Sequence, residues 1–448
     1  MQLSTDDAIL GRLGESTTTT RNVIAIFVLC LLVFLVNGRP HPEVDCVAAP
    51  YVAWSIVTGG SYELQVYEDI KQYYGGPILK REDGAVVSMR PPGSAIAAIP
   101  IILPFALTME RPFGAHDMHH IGKLVAVICV AISTVFLFLI IKCLAPSAAW
   151  PTTILFAFGT CLWSVASQSL WMHGPAVMGL CGGMYCLICP GRGKMGYCWL
   201  AGLAFGFAVL ARPTTAIFVV VTLMNFSFQR RWKTCLWISL GGILPAIVLL
   251  HYQWSNFGSP LLGGYKNDNW GNPTPLWLGL SGLLFAPSRG LFVYSPALIV
   301  SFVGGWSLVR TNNPVWKPHR SLLLAWVAAS IITLVFFARW HDWQGGWCYG
   351  PRVLCETLPM LCLLFAIAYA GIEPLRSARK YALKTLIGLS VLVHAIGVFG
   401  YKGYEPWQNR HALNDQGRSL FSLSDTQIEA HATAFISKLQ GKSANRRK

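Results

Sequence analysis

Charged side chains are scarce in this sequence. Asp, Glu, Lys and Arg make up only 12% of the 448 residues, whereas 54% are hydrophobic. A soluble domain usually carries about 25% charged residues, so lipid is the expected solvent for most of the chain. Negatively charged residues are fewer than positively charged ones, with 20 Asp and Glu against 35 Lys and Arg. The basic residues lie in short clusters between apolar runs, which is typical of cytoplasmic loops and argues against a nucleic-acid partner.

Several enzyme motifs are also missing. The sequence contains no GxxxxGKS/T phosphate loop, no HExxH helix and no GxSxG elbow. These absences argue against an ATP-driven pump, a zinc protease or a serine hydrolase of the usual kind.

Long apolar runs, in contrast, are abundant. They approach or reach the roughly 17–25 residues that cross the hydrocarbon layer as a helix. We predict an all-α polytopic membrane protein with about 11 transmembrane helices and an outward-facing cavity. The predicted spans are 22–37, 121–141, 151–169, 174–190, 197–211, 213–228, 234–252, 292–309, 321–338, 353–372 and 383–400. The predicted parts are a cytoplasmic N-terminus (1–21), a multi-span domain (22–400) and a C-terminal tail (401–448).

The positive-inside rule predicts which loops face outward. Segment 93–108 is apolar but short and holds two prolines, so we expect an interfacial or re-entrant helix there. The unusual polar stretches then share the outer face: they are 38–92, 109–120, 170–173, 253–291 and 339–352. We therefore expect any chemistry to face outward.

The first outer loop contains Asp45, just past the end of the first span. An acidic residue at the membrane boundary is expensive to desolvate and is a functional candidate by default. The structural alternative is that Asp45 caps the following helix. Arg90, before a stiff Pro-Pro-Gly turn, offers either a bidentate donor for phosphate or an anchor to anionic lipid.

The stretch HDMHH at 116–120 raises the question of a metal. Its candidate ligands are His116, Asp117, His119 and His120. Imidazole and carboxylate suit transition ions, so a divalent metal stays open. We favour the structural interpretation, in which these residues form a polar interfacial cap on the next span.

The stretch RWHDWQGGWCYGPR at 339–352 interrupts two apolar runs. Tryptophans in an aromatic belt do not need two adjacent glycines and a Tyr-Gly-Pro-Arg sequence, so we predict a shaped pocket wall. The pocket candidates are Trp340, His341, Asp342, Trp343, Trp347, Tyr349, His173 and Tyr265. Cys46 and Cys348 both fall in polar loops, and a disulfide between them stays open.

Six short motifs, taken in order, resemble one family over nearly the whole chain. They are A...A.SI..GG.YEL after Asp45, RPPGSAIAAIP, FAFGTCLWSVASQSLWMHGPA, AGLAFGFAVLARPT, GLLFAPSRGLFVYSP and WQGGWCYGPRVL. The chain is similar to bacterial membrane glycosyltransferases of the GT-C superfamily, and especially to the set that includes protein O-mannosyltransferases, the aminoarabinose transferase and RgtA/B/C/D-like enzymes.

The resemblance implies a GT-C fold in the bacterial inner membrane, with a site that faces the periplasm or exterior. It implies transfer of a hexosyl or pentosyl group from a polyprenyl-phosphate-linked sugar to a glycan, lipid or protein acceptor, with no certain cofactor. In this family an acidic residue of the first outer loop acts at the acceptor, and Asp45 is the matching position. Many relatives carry two adjacent acids there, whereas here Cys46 follows Asp45 and Glu43 lies two residues before it. For the donor phosphate we expect Arg352 first, then Arg289, Arg212 or Arg90.

Two other function classes stay open. A transporter or lipid-linked sugar flippase would be expected to show internal repeats and broken helices at mid-membrane, and no convincing repeat is present. An inactive assembly subunit would explain the altered acidic pair. The sequence does not identify the sugar or the acceptor.

Overall fold

In a computed structural model, the chain is described for residues 5–41, 43–64, 66–73, 76–189, 194–261, 263–264, 273–310, 313–372, 377–401, 407 and 418–440. The helices are α1 (Thr5–Leu35), α2 (Ala48–Gly59), α3 (Gly93–Ala106), α4 (Ala115–Leu144), α5 (Ala149–Phe158), α6 (His173–Ile188), α7 (Met195–Ala211), α8 (Ala216–Phe228), α9 (Trp232–Phe257), α10 (Leu276–Phe285), α11 (Leu291–Tyr294), α12 (Ser301–Arg310), α13 (Arg320–Arg339), α14 (Leu358–Ile372), α15 (Ser377–Gly400) and α16 (Gln427–Leu439). Strands β1 (Ile78–Lys80) and β2 (Val86–Ser88) form an antiparallel hairpin with Leu79 opposite Val87.

Five segments of the described chain are long and apolar enough to cross a membrane. They are Ala115–Leu144, Trp232–Phe257, Arg320–Arg339, Arg352–Gly371 and Ala378–Gly400. The other apolar helices have 10–17 residues. The chain is therefore an integral membrane protein, and the count of about 11 spans stays a prediction.

Some predicted boundaries are wrong. The first helix does not begin at residue 22 but runs unbroken from Thr5. The predicted span 292–309 is broken after Tyr294, because Pro296 starts a 3-10 turn that ends at Val300. The predicted span 151–169 is also divided, since α5 ends at Phe158 and a π turn follows.

Helices α7 and α9 pack with their backbones in contact. A Cβ on Gly202 would lie 1.9 Å from the carbonyl oxygen of Ile238, and one on Gly241 would lie 2.0 Å from that of Trp199. Small residues allow this close approach. In lipid there is no hydrophobic driving force between helices, so close van der Waals packing of this kind stabilises the pair instead.

Helix α3 covers the segment for which an interfacial or re-entrant helix is predicted. It has 14 residues and contains Pro100 and Pro104. At 1.5 Å per residue it is about 21 Å long, short of the ~30 Å hydrocarbon layer. Its first residue, Gly93, packs on the end of α7, where a Cβ would lie 2.3 Å from the backbone nitrogen of Ala211.

The C-terminal part contains an ordered helix. Helix α16 packs along α15, and Gly400 at the end of α15 lies against His431, since a Cβ there would meet the His431 carbonyl oxygen at 2.4 Å. The segment predicted as a tail thus returns to the multi-span domain.

Candidate active site

Asp45 lies on a 3-10 turn, Val44–Cys46, directly before α2. It does not cap α2, because the N-cap residue is Val47 and no side chain accepts a hydrogen bond there. Its carboxylate instead accepts hydrogen bonds from two arginines that are distant in sequence. Arg90 Nη2 lies 2.5 Å from Oδ1 and Arg352 Nη1 lies 3.0 Å from Oδ2. We call Asp45, Arg90 and Arg352 the open cluster.

Each arginine of the open cluster has a defined support. Tyr252, on α9, donates from its hydroxyl to the carbonyl oxygens of Ser88 and Arg90, at 2.7 and 2.9 Å. Arg352 begins a six-residue 3-10 turn, Arg352–Thr357, and its guanidinium lies 4.2 Å from the centre of the Trp171 ring. The two arginines are therefore held by separate parts of the fold.

The charges around Asp45 set its protonation. Burial alone would raise the pKa of the carboxyl, but the guanidinium groups of Arg90 and then Arg352 hold the pKa below its usual range. Asp45 is thus ionised at neutral pH. Its side chain is still 19% exposed, so the carboxylate is reachable from the cleft beside it.

The cleft beside the open cluster has a volume of about 300 Å³, including open solvent. Its polar wall contains Asp45, Arg90 and Ser94, and its apolar wall contains Leu170 and Met172. A mixed wall of this kind suits a ligand with one charged and one apolar part.

The loop after α13 is built on glycines with left-handed backbone. Gly345, Gly346 and Gly350 have φ values of 77°, 59° and 80°, which residues with a Cβ rarely adopt. A Cβ on Gly345 would also lie 3.1 Å from Cγ of Arg352. These glycines shape the loop and leave room for Arg352.

Two predicted pocket residues are buried in the core. Trp343 packs so closely on α10 that a Cβ on Gly282 would lie 2.2 Å from its ring. Tyr349 is fully buried and donates from its hydroxyl to the Val393 carbonyl oxygen at 2.9 Å. Neither side chain reaches a surface, so the structure does not bring them to the cleft, and their pocket role stays a prediction.

The other residues of this loop remain accessible. Trp340 and Trp347 are half-buried, and His341 is exposed. Asp342 is half-buried, and burial raises the pKa of its carboxyl in spite of the neighbouring Arg352 charge. The predicted pocket residue Tyr265 lies outside the described residues.

Arg289 holds this loop in place instead of facing the cleft. Its buried guanidinium donates to the carbonyl oxygens of Ser288, Gln344 and Gly346, each at 3.1 Å, and to Oε1 of Gln427. The Arg289 donors are turned to protein oxygens, so the structure does not bring this side chain to the cleft, and phosphate binding by Arg289 stays a prediction.

Arg212 belongs to a second charged group, away from the cleft. Its Nη1 lies 2.8 and 2.7 Å from the two carboxylate oxygens of Glu356, and Nδ1 of His173 lies 2.8 Å from Glu356 Oε1. All three side chains are at most 8% exposed. We call His173, Arg212 and Glu356 the sealed cluster. Both side chains are enclosed, so the structure does not bring them to the cleft, and phosphate binding by Arg212 and a pocket role for His173 stay predictions.

The HDMHH stretch forms the first turns of α4. The rings of His116 and His120 lie with their centres 4.6 Å apart and their planes tilted by 55°, and Asp69 Oδ2 accepts a hydrogen bond from Ala115 N at 3.0 Å. In the part of the chain that the structure describes, no three His, Cys, Asp or Glu side chains are grouped to hold a metal ion. Cys46 and Cys348 are both buried, and no disulfide joins them.

Three site residues were not predicted. Glu356 lies inside an apolar span, where an acid is a functional candidate by default, so this signal was available. Gln427 accepts from Gly350 N at 3.0 Å and donates to the Cys348 carbonyl oxygen at 2.8 Å. Tyr401 donates to Glu43 Oε1 at 2.7 Å. Neither Gln427 nor Tyr401 carries a local sequence signal for these contacts.

No protein-family model and no curated protein sequence matches the chain. Solved structures match it by fold. An oligosaccharyltransferase from Archaeoglobus fulgidus, in complex with Zn and sulfate, aligns with a TM-score of 0.50 and 12% identity over 92% of this chain and 53% of that one. The apo form of the Archaeoglobus enzyme aligns with a TM-score of 0.51 and 11% identity over 91% of this chain and 60% of that one. The chain thus spans somewhat more than half the length of these structures and shares their fold.

Proposed function

We propose that this protein is a glycosyltransferase that moves a sugar from a polyprenyl-phosphate-linked donor to an acceptor on the outer face of a bacterial inner membrane. The fold is shared with oligosaccharyltransferases, which are glycosyl-transfer enzymes by name. The acceptor class, whether glycan, lipid or protein, and the hexosyl or pentosyl nature of the sugar stay open within the proposal.

The open cluster is the observation that carries the proposal. Residues 45, 90 and 352 are far apart in the sequence, yet their side chains meet at one carboxylate. Asp45 and Arg90 line the cleft together with apolar residues, and Arg352 contacts Asp45 from outside the lining. Two guanidinium groups beside one carboxylate give the site both anion-binding groups and a proton-accepting group. A lipid phosphate that carries a sugar has the matching charge and apolar tail.

The reaction follows from these groups. The acceptor oxygen or nitrogen attacks the anomeric carbon of the sugar, and its proton passes to the Asp45 carboxylate. The bond from that carbon to the phosphate oxygen breaks, and the polyprenyl phosphate leaves with the electron pair. Arg90 and Arg352 offset the negative charge that develops on this leaving group.

The two arginines also control when Asp45 can act. While both guanidinium groups bind the carboxylate, its pKa is held below the usual range and it is a weak base. Donor phosphate competes for the guanidinium groups. Because each lost contact raises the pKa of Asp45, donor binding prepares the carboxylate for the acceptor proton.

The test is transfer of radiolabelled sugar by the purified full-length protein from a panel of polyprenyl-phosphate donors. Asp45→Asn keeps the side-chain shape and removes the base, so we expect the rate to fall about 10²–10⁴-fold. Asp83→Asn is the matched control, since Asp83 is an exposed carboxylate of the same outer loop that pairs with Arg81. Assays with chelator and with added Mg²⁺ or Mn²⁺ test whether a divalent ion contributes.

Equal transfer by the wild type and Asp45→Asn would overturn the role of Asp45. An absence of transfer from every donor by well-folded wild type would overturn the proposed function. The transporter and inactive-subunit alternatives would then account better for the fold.

A further inference from the structure

The hydroxyl group of Ser94 has no hydrogen-bond partner within the described part of the chain. Ser94 is the second residue of α3, its side chain is 2% exposed, and it lines the cleft with Asp45 and Arg90. A buried hydroxyl without a partner is costly. A ligand in the cleft that accepts a hydrogen bond would remove this cost.

The backbone around Ser94 presents further donors. Pro91 and Pro92 precede α3 and have no N–H group, so the donors of the first turn begin at Gly93. Ile96 N already bonds back to the Pro92 carbonyl oxygen at 2.9 Å. The N–H groups before it have no partner within the helix, and the helix dipole favours an anion at this end.

The first turn of α3 is firmly held. Gly93 lies against the backbone of α7, where a Cβ on residue 93 would lie 2.3 Å from both the Cα atom and the backbone nitrogen of Ala211. Tyr252 fixes the backbone of Arg90 on the other side of the Pro-Pro pair. A rigid donor set of this kind binds an anion without first having to be ordered.

The charges beside this turn favour an anion as well. Arg90 lies three residues before Gly93, and the open cluster joins two guanidinium groups to a single carboxylate. The summed charge of these three side chains is positive, which favours a negatively charged ligand. Phosphate oxygens match the guanidinium fork geometrically.

We propose that the first turn of α3, with the Ser94 hydroxyl and the Arg90 guanidinium, binds the phosphate oxygens of the lipid-linked donor. The inference rests on the proposed function and assigns different roles to the two arginines. Arg90 turns from Asp45 to the phosphate, while Arg352 keeps Asp45 oriented towards the acceptor. Ser94 donates its hydroxyl hydrogen to a phosphate oxygen.

The experiment measures binding without transfer. The purified full-length protein in detergent is titrated with farnesyl phosphate, with farnesol, which lacks the phosphate, and with inorganic phosphate. Ser94→Ala removes one hydrogen bond to a charged group, so we expect farnesyl phosphate to bind about tenfold more weakly. Farnesol binding should not change, and Ser94→Thr should restore most of the affinity.

The matched control is Ser133→Ala. Ser133 is a buried serine of α4 whose hydroxyl already donates to the Cys129 carbonyl oxygen at 2.7 Å, and it does not line the cleft. Melting temperatures of all variants confirm that they are folded. Unchanged farnesyl phosphate affinity in Ser94→Ala would overturn the inference.

The remaining outcomes separate the two proposals. Binding of inorganic phosphate that depends on Ser94, without binding of farnesyl phosphate, would overturn the assignment to a lipid-linked donor. Ser94-dependent binding of farnesyl phosphate by a protein that transfers no sugar would support the subsite and overturn the transferase. Sugar transfer with unchanged binding in Ser94→Ala would overturn the subsite alone.

Discussion

The open and sealed clusters are built from the same residue types and differ in charge balance and access. In the open cluster one carboxylate meets two arginines, and the acid remains 19% exposed beside a cleft. In the sealed cluster one carboxylate meets one arginine and a histidine, and Glu356 is 2% exposed. The sealed cluster pairs its carboxylate with one arginine and is enclosed, whereas the three side chains of the open cluster sum to a positive charge beside a cleft. Charge balance and access, more than the presence of arginine, therefore make the open cluster the better candidate for the proposed substrate site.

The two clusters also share a structural part. Arg352 begins the 3-10 turn Arg352–Thr357, and Glu356 lies on the same turn. Because Glu356 is fixed by Arg212 and His173, the turn that carries Arg352 is fixed as well. We infer that the sealed cluster positions the open cluster. Substitutions that disrupt the ion pairs of one cluster at a time test this relation.

The largest effect is expected in the sealed cluster. Glu356→Gln leaves the buried Arg212 without a counter-charge, and breaking a buried pair in this way typically costs about 3–5 kcal/mol. We expect a clear fall in melting temperature in detergent, compared with Asp83→Asn, whose exposed pair should leave the melting temperature unchanged. A Glu356→Gln protein as stable as the wild type would contradict the positioning role.

The next effect is expected in the open cluster, on activity and not on stability. Arg352→Lys keeps the charge but loses the planar fork that can bridge carboxylate and phosphate. We expect the transfer rate to fall about 10²–10³-fold, as for the loss of one donor to a developing anion, with the melting temperature close to wild type. If the melting temperature falls as far as in Glu356→Gln, the distinction between the clusters does not hold.

The smallest effect is on pH dependence. The pKa of Asp45 is lowered by Arg90 and Arg352, so the activity that needs the carboxylate should persist to a pH below the ordinary range of about 3.9. Arg90→Gln removes one of these charges and raises the pKa. The acid limb of kcat/KM should therefore move to higher pH, by about one unit if the lost interaction is near 1.4 kcal/mol.

The control for this measurement is Arg81→Gln, which removes an arginine of the same outer loop that pairs with Asp83 and not with Asp45. Its acid limb should coincide with that of the wild type. An unshifted limb in Arg90→Gln would show that Asp45 is not the group that titrates.

The sequence supported the candidate residues of the open cluster but not their arrangement. Asp45 was a candidate because an acidic residue at a membrane boundary is expensive to desolvate, and Arg90 because it precedes a stiff Pro-Pro-Gly turn. Arg352, Arg289 and Arg212 were donor-phosphate candidates implied by the family resemblance, and only their partners show that Arg212 and Arg289 are enclosed. The partner of Arg212 was detectable as an acid within an apolar run. The partner of Arg289, Gln427, was not, since an amide in a polar stretch carries no sign of the contact it will make.

The fold was predicted in its class and less well in its boundaries. Apolar run length identified the long helices, and the short run with prolines at 93–108 corresponds to a helix of 14 residues. Breaks inside apolar runs were missed, as after Tyr294, because hydropathy does not register a local turn. The burial of Trp343 and Tyr349 was not foreseen for a related reason: an aromatic ring is equally suited to a pocket wall and to the packing beneath it.

The position of Gln427 has a consequence for biosynthesis. Its amide joins Arg289, Gly350 and Cys348, so the loop that carries Trp340 and Trp347 is not complete when its own residues leave the ribosome. It must wait until α15 and α16 have been synthesised. The nascent chain would therefore acquire its long apolar helices before this loop is held in its final conformation.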